Sequence, residues 1–501
     1  MSSNANSSLK EVVRGGGITS LGIVIAQGTH FLFHLMIAHF LGTTLYGLYS
    51  IGKSLVRLAS HLTMMGFSTS VVRFLAIYKG ENNKSMMKGT LILALVFPLM
   101  ASLAIGSLIF ATSNWAAVNL FQKPELGFVF KGFACALPFY TLMLICAACA
   151  RGFKQVKRYN SLINLLQPVI ELLGVAGLFI IGYRLGGTIF GFGFSSAIAA
   201  GVGLYWMVQM FRSMELHRVP AQYEVGKQLA FSLSTLMIGV VHMLIIQTDR
   251  LMLGALSTAH NVGIFVVASL ISQNARFILQ STNSIFPPII ADLYHKGDTQ
   301  RLVSTYKSVT WLITALTVPL IFVFCFMSSE IMSLFGSEYA SANRVLIILS
   351  LFQFVNVAVG SAGFLLVMTG NQKLEAINSW VVAFLNVVLN YIFIPKYGAI
   401  GAAFATGLST GIINLLRVLE IYRFYGYHPY KFSHTKIIAS SAIALVFFIA
   451  MKSIFSLGYL QNIIVAILSI VVYFYTLYRL GIDEEEKSLF LATKEKLTFK
   501  R

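Results

Sequence analysis

Charge is scarce in this 501-residue chain: Asp, Glu, Lys and Arg together make up 11% of it, where soluble domains carry roughly 25%. Acids are scarcer still, 18 against 37 Lys and Arg. Cysteine occurs four times, at 135, 146, 149 and 325. Each shortage excludes something. A chain that is 57% apolar, with mean hydropathy +0.77, has too few polar residues to cover one water-soluble core, so it is an integral membrane protein. Four cysteines make no disulfide framework. Cys146 and Cys149 form a C-x-x-C in an apolar run with no histidine nearby, so they read as small core residues and no metal site is expected. No cleavable leader is expected, since the residues through Arg14 are polar and the first apolar run is too long for one. The net charge of +19 would point to nucleic acid on a soluble protein. Here it reflects cationic loops on one side of a bilayer, and no nucleic-acid partner is expected.

What the chain has is long apolar segments. A helix needs about 20 apolar residues to cross a bilayer. Fourteen segments qualify, at about 17–41, 46–74, 89–112, 127–150, 160–182, 187–211, 228–252, 261–286, 308–328, 344–369, 376–394, 399–422, 435–456 and 459–479. With the N-terminus inside, the outer segments hold Lys123, Lys131, Arg184, Arg250, Arg344, Lys396 and Lys452. The spans hold Lys53, Arg57 and Arg276, and every other Lys and Arg falls on an inner segment or the C-terminal tail. This bias supports fourteen crossings with both termini cytoplasmic. No connection is long enough to be a soluble catalytic domain, and the outer loops carry only scattered acids such as Glu125, Glu330 and Glu338.

The chain also repeats itself. "LGTTLYGLY" at 41–49 matches "LGALSTAHNVGIF" at 253–265, "YKGE" at 78–81 matches "HKGD" at 295–298, "FPL" at 97–99 matches "VPL" at 318–320, and "RGFKQVKRYNS" at 151–161 matches "TGNQKLEAINS" at 369–379. The offsets stay between 212 and 221 residues, about six spans. Six is even, so both halves share one topology, as in transporters that place a substrate between parallel repeats. The expected layout is an N-lobe at 1–222, a C-lobe at 223–430, two further spans at 431–482 and a cytoplasmic tail at 483–501: two pseudo-symmetric six-helix bundles plus two helices, all-α, with fourteen crossings.

One local match misleads. "GLYSIGKS" at 47–54 fits the phosphate-loop pattern G-x-x-x-x-G-K-[ST] letter for letter. That loop works between a strand and a helix; this one starts an apolar span on the outer side. Its glycines are expected to serve helix entry and tight packing.

Charge inside the spans is the functional signal. Lys53, Arg57 and His61 are four apart and share a helix face. A Lys or Arg at bilayer depth costs about 2.5–3.5 kcal/mol on insertion scales. Lys53 has two open readings, snorkelling to the outer surface or facing a cavity; Arg57 lies deeper. Arg276 sits near the middle of span 8, the repeat partner of span 2. Cations in both halves that face one cavity make an anion site, and Arg suits phosphate because its fork grips two oxygens. Gln27, His30 and His34 share a face of span 1, as cavity lining or hydrogen-bonded core. Among acids, Glu171 follows Pro168, which is expected to kink span 5, and Asp249 adjoins Arg250. Glu171 either pairs with a buried Arg or carries a coupling cation (H+ or Na+); Asp249 reads as the ion-pair partner of Arg250.

These residues sit in patterns that resemble the polysaccharide (O-antigen and exopolysaccharide) flippases of the MATE-like (MOP) superfamily: "GGGITSLGIVIAQ", "LGTTLYGLYS", "MGFSTSVVRFLA" and above all "QTDRLMLGALSTAHNVGIFVVASLI". The resemblance covers spans 1 to 14. It implies a non-enzymatic export of a polyprenyl-pyrophosphate-linked oligosaccharide across the cytoplasmic membrane, with membrane lipids and glycan-assembly proteins as partners and no cofactor beyond a coupling cation. It implies cavity cations at Arg57 and Arg276, then Lys53 and Arg250, with His30, His34 and His61 beside them. Lipid II flippases and cation-coupled multidrug exporters are the alternatives, then a membrane glycosyltransferase or polymerase. Span 1 lacks the acid that multidrug exporters often use there. Fusions test the topology: alkaline phosphatase placed after Gln122 is active and after Asn83 inactive. The reverse pattern would turn the whole assignment inside out.

Overall fold

A computed structural model describes the backbone of residues 2–454 and 459–481, with side chains from Gln27 onward except at positions 238, 241, 242, 245, 459 and 460. The expected tail at 483–501 and the side chains of the lead-in to span 1 lie outside the described residues. The fold is all-helical, with no strand among the described residues. Eleven helical stretches there are long and apolar enough to cross a membrane. Contacts divide the chain into two compact units, Met1–Gly263 and Ile264–Arg501.

The first unit holds α1 (Ser2–Thr63), α2 (Phe67–Gly80), α3 (Lys84–Trp115), α4 (Leu126–Gly152), α5 (Val156–Asn160), α6 (Gln167–Ile180), α7 (Leu185–Ser213) and α8 (Val225–Leu256). Helix α9 (Ala259–Gln273) begins in it. Helix α4 is its hub and packs on α3, α7, α1 and α2. The buried run Ala147, Ala148, Cys149 and Ala150 lets the neighbouring backbones come close. Cys146 and Cys149 are free thiols buried in that core. The second unit holds the rest of α9 with α10 (Phe277–Asn283), α11 (Phe286–His295), α12 (Thr299–Phe326), α13 (Ser328–Ser333), α14 (Ser337–Ala340), α15 (Asn343–Ala358), α16 (Ala362–Met368), α17 (Gln372–Tyr425), α18 (His434–Ile454) and α19 (Tyr459–Arg479). Tyr306 and Trp311 are among its largest fully buried side chains and sit in two separate core clusters.

Breaks in the helices do the positioning. Helix α1 turns at Gly42 (φ 69°, ψ 178°), a backbone that glycine adopts without strain. Span 2, expected to run unbroken over 46–74, stops at Thr63 and restarts at Phe67 after two left-handed residues, Met65 (φ 47°) and Gly66 (φ 78°). Helix α8 passes close by: a Cβ on Gly66 would lie 2.0 Å from the Ser232 carbonyl oxygen, so only glycine fits this turn. In span 5 the disturbance expected at Pro168 takes the form of a π-turn at Ser161–Leu166 just before it. Proline offers no N–H and its ring crowds the carbonyl four residues back, which the wider turn accommodates.

The repeat leaves a physical trace at the start of span 2. A Cβ on Gly47 would lie 1.8 Å from the Ala259 carbonyl oxygen, and one on Gly263 would lie 2.1 Å from that of Thr43. Thr43 and Ala259 stand at equivalent places in the repeated sequence, as do Gly47 and Gly263. The contacts are therefore reciprocal, as across a two-fold axis. Thr43-x-x-x-Gly47 and Ala259-x-x-x-Gly263 are matched small-x-x-x-small motifs, the pattern that lets membrane helices touch backbone to backbone. Thr43 Oγ1 and His260 Nδ1, 2.7 Å apart, lock the crossing. The first glycine of "GLYSIGKS" serves this contact. Its second, Gly52, packs on Phe133 and Val129, where a Cβ would lie 2.5 Å from either side chain. Gly47→Ala forces overpacking against backbone and costs about 3 kcal/mol, the upper end for such changes. Melting of the purified protein in detergent reads this, with Gly201→Ala, a site with open space around it, unchanged. Equal melting of the two variants rules the crossing out.

Candidate functional site

The centre of the first unit holds an ammonium and a carboxylate away from water. Lys53 Nζ donates to Glu171 Oε1 at 2.8 Å and to the Tyr49 hydroxyl at 2.8 Å. Tyr49 donates to the same Glu171 oxygen at 2.7 Å, and Gln167 Nε2 donates to Glu171 Oε2 at 2.9 Å. The aromatic rings of Phe33, Tyr49 and Phe192 stand 4.7–5.4 Å from the ammonium. The side chains of Lys53 and Glu171 are only 10% and 5% exposed. Lys53 therefore does not snorkel: its turn of α1 points inward, and the aromatic box with Glu171 replaces water. The partner of Glu171 is this lysine, where the sequence leaves open a buried Arg or a coupling cation. The widened turn before Pro168 places Gln167 and Glu171, one turn apart on α6, toward α1.

Beside this pair runs a chain of neutral donors and acceptors. His34 Nδ1 is 2.5 Å from the Tyr46 hydroxyl, and His34 Nε2 is 3.2 Å from His30 Nε2. With Tyr46 donating to Nδ1, His34 donates from Nε2 to His30, so one tautomer satisfies both contacts. Lys53, Arg57 and Arg250 act electrostatically on both histidines. Arg57 is half-buried, reaches Tyr140 and forms no ion pair among the described residues. Arg250 of α8 lies within the field of Arg57, Tyr46 and the buried Asp249.

The first unit thus brings together His30, His34, Lys53, Arg57, Glu171, Asp249 and Arg250. His61 lies one turn beyond Arg57 and lines a separate cavity. Gln27, expected on the same face as the histidines, is exposed. Arg276 belongs to the second unit. It ends a short 3-10 turn, Asn274–Arg276, between α9 and α10, is half-buried, and its Nε has no hydrogen-bond partner. The second unit also holds an acid–base pair that sequence reading missed: Arg417 Nε donates to Glu375 Oε2 at 3.0 Å, and its Nη2 reaches Oε1. In the first unit the missed residues are Tyr46, Tyr49 and Tyr140. Tyr46, Tyr49, Lys53 and Arg57 follow helical spacing, and that was the signal available for two of them.

A model of the family described as polysaccharide biosynthesis protein matches residues 12–294, and the MatE model matches 233–392. A probable low-salt glycan biosynthesis flippase of Haloferax volcanii is 30% identical over 173 residues, 34% of this chain and 36% of that protein. The capsular polysaccharide biosynthesis protein CapF of Staphylococcus aureus is 24% identical over 180 residues, 35% of this chain and 44% of that one. The chain thus spans under half the length of the curated relatives it matches. Among solved structures, the lipid II flippase MurJ in an inward closed conformation superposes with a TM-score of 0.72 over 92% of this chain and 97% of that one, at 16% identity. An inward-facing MATE family multidrug transporter of the MOP superfamily gives 0.61 over 78% and 96%, at 15% identity. At such identities the likeness is one of fold.

The buried pair makes a sharp prediction. Lys53→Met or Glu171→Leu alone strands the other charge and costs about 3–5 kcal/mol. Both changes together remove the stranded charge, and the double variant melts well above either single one. Additive losses would mean that the two residues do not interact.

Proposed function

The chain belongs to the polysaccharide biosynthesis protein family of the MOP superfamily, and on that premise we propose that it is a flippase, not an enzyme. Its cargo is a polyprenyl-pyrophosphate-linked oligosaccharide carried from the inner to the outer leaflet of the cytoplasmic membrane. The observation that carries this reading is the pair of uncompensated guanidinium groups. Arg57 and Arg276 each lie half-buried in a membrane-spanning segment, and neither forms an ion pair among the described residues. A cation at that depth costs about 2.5–3.5 kcal/mol unless something compensates it. A pyrophosphate is the compensation that suits a planar fork.

The same reading takes the chain across the membrane fourteen times. Two of the eleven long helical stretches, Gln27–Gly80 and Gln372–Tyr425, have 54 residues each and turn at Gly42 and Gly398. Each is long enough for two crossings. Helix α8, with 32 residues, supplies one more. The positive-inside rule then puts both termini in the cytoplasm. By this proposal two six-helix lobes rock and alternate access between leaflets, with Arg57, Arg250 and the histidines as the basic groups of the first unit and Arg276 as that of the second. Net direction comes from a coupling proton or sodium ion, the membrane potential, or removal of product. A coupling cation that uses Glu171 first has to displace Lys53.

In a strain deleted for the gene, Arg57→Gln and Arg276→Gln each restore surface glycan at a level about tenfold or more below wild type. This is the loss expected when one charge-assisted hydrogen bond of about 1.5–3 kcal/mol is removed. Immunoblots of surface glycan and extracts of lipid-linked glycan read it, with membrane levels of the variants unchanged. Wild-type surface glycan from both variants sinks the anion-site reading.

A further inference from the structure

We propose that the inner end of the first unit carries a second phosphoryl-binding subsite, separate from the buried cluster, which receives the pyrophosphate of the lipid-linked cargo before Arg57 does. This rests on the flippase reading above. Where α1 breaks off and α2 begins, a cavity of about 530 Å3 opens, within the size range of small-ligand sites. His61, Ser68, Thr69, Arg151, Tyr159 and Thr235 supply its polar lining, and none of its lining residues is Asp or Glu. Arg151 closes α4, lies over the Tyr159 ring at 5.4 Å and donates from Nη2 to the Ser68 carbonyl oxygen at 3.1 Å. It forms no ion pair among the described residues. A guanidinium has five N–H donors, so this one hydrogen bond leaves the rest of the fork for the cavity that Arg151 lines.

A cationic fork over an aromatic ring, with hydroxyls around it and no carboxylate in the lining, is chemistry for phosphoryl oxygens. Its place relative to the buried cluster gives it a direction. His61 lines this cavity and stands one helical turn from Arg57, which stands one turn from Lys53. The face of α1 thus runs from the cavity to the buried cluster as a ladder of basic groups about 6 Å apart. An anion entering at Arg151 moves to Arg57 without leaving cationic surroundings. The break between α1 and α2 borders the opening, with Met64 and Gly66 in its lining.

Two probes separate the sources of the phosphoryl group. Inorganic pyrophosphate is titrated into the full-length protein in nanodiscs, and polyprenyl pyrophosphate is then included in the discs as competitor. Arg151→Gln weakens pyrophosphate binding about tenfold, Arg151→Lys weakens it less, and Gly239→Leu, which fills open space beside His61, blocks it. The lipid competes with pyrophosphate in the wild type. Unchanged binding in Arg151→Gln and Gly239→Leu, both melting as wild type, overturns the subsite. Binding of free pyrophosphate without competition from the lipid overturns its loading role. Wild-type protein that binds the lipid here yet moves none across proteoliposomes contradicts the flippase reading and leaves the subsite standing.

Discussion

A lysine and a glutamate 2.8 Å apart, out of reach of water, set the terms for the centre of the first unit. Neither charge is tolerable there alone. Together they need every remaining lone pair and proton satisfied, or desolvation outweighs their attraction. Tyr49, Gln167 and three aromatic rings meet that need. To reach one another, α1 and α6 must pack closely, which fixes the rotation of α1. Once Lys53 points at Glu171, the spacing of the helix fixes where Arg57 and His61 point. The glycine crossing at Gly47 and the π-turn before Pro168 hold the two ends of that arrangement.

Spacing made half of this legible in the sequence, and distance in sequence hid the other half. Lys53, Arg57 and His61 at intervals of four announce a shared face whatever the fold. Glu171 lies 118 residues from Lys53, and no local pattern says which cation it meets. Hence the sequence offers a buried arginine or a coupling cation for Glu171, and the structure sets Lys53 beside it. Tyrosines in an apolar helix look like ordinary core, so Tyr46 and Tyr49 carried no flag despite sharing the face of Lys53. The breaks at Met65–Gly66 and at Asn274–Arg276 carry no proline to mark them; the first lies where α8 comes within touching distance of the backbone, a tertiary contact.

The phosphate-loop look-alike shows how a motif and its mechanism come apart. "GLYSIGKS" has the letters, yet its first glycine permits a reciprocal helix crossing, its second seats an aromatic ring, and its lysine is held by a carboxylate. The residue with an uncommitted charge, Arg57, lies outside the pattern. Family membership and fold place the chain among membrane proteins whose superfamily contains flippases and drug exporters. What favours an anionic cargo is chemical: in each unit a guanidinium group that forms no ion pair among the described residues, and at the break between α1 and α2 a cavity with no Asp or Glu in its lining.

The most direct test is movement of the cargo itself. Purified protein is reconstituted into vesicles with a fluorescent polyprenyl-pyrophosphate-linked disaccharide, and accessibility to a membrane-impermeant quencher is followed in time. Wild-type vesicles transfer the lipid between leaflets faster than protein-free vesicles, and Arg57→Gln vesicles with the same protein content do not. Equal rates for Arg57→Gln and wild type, or no transfer by wild type above the protein-free rate, would contradict the account.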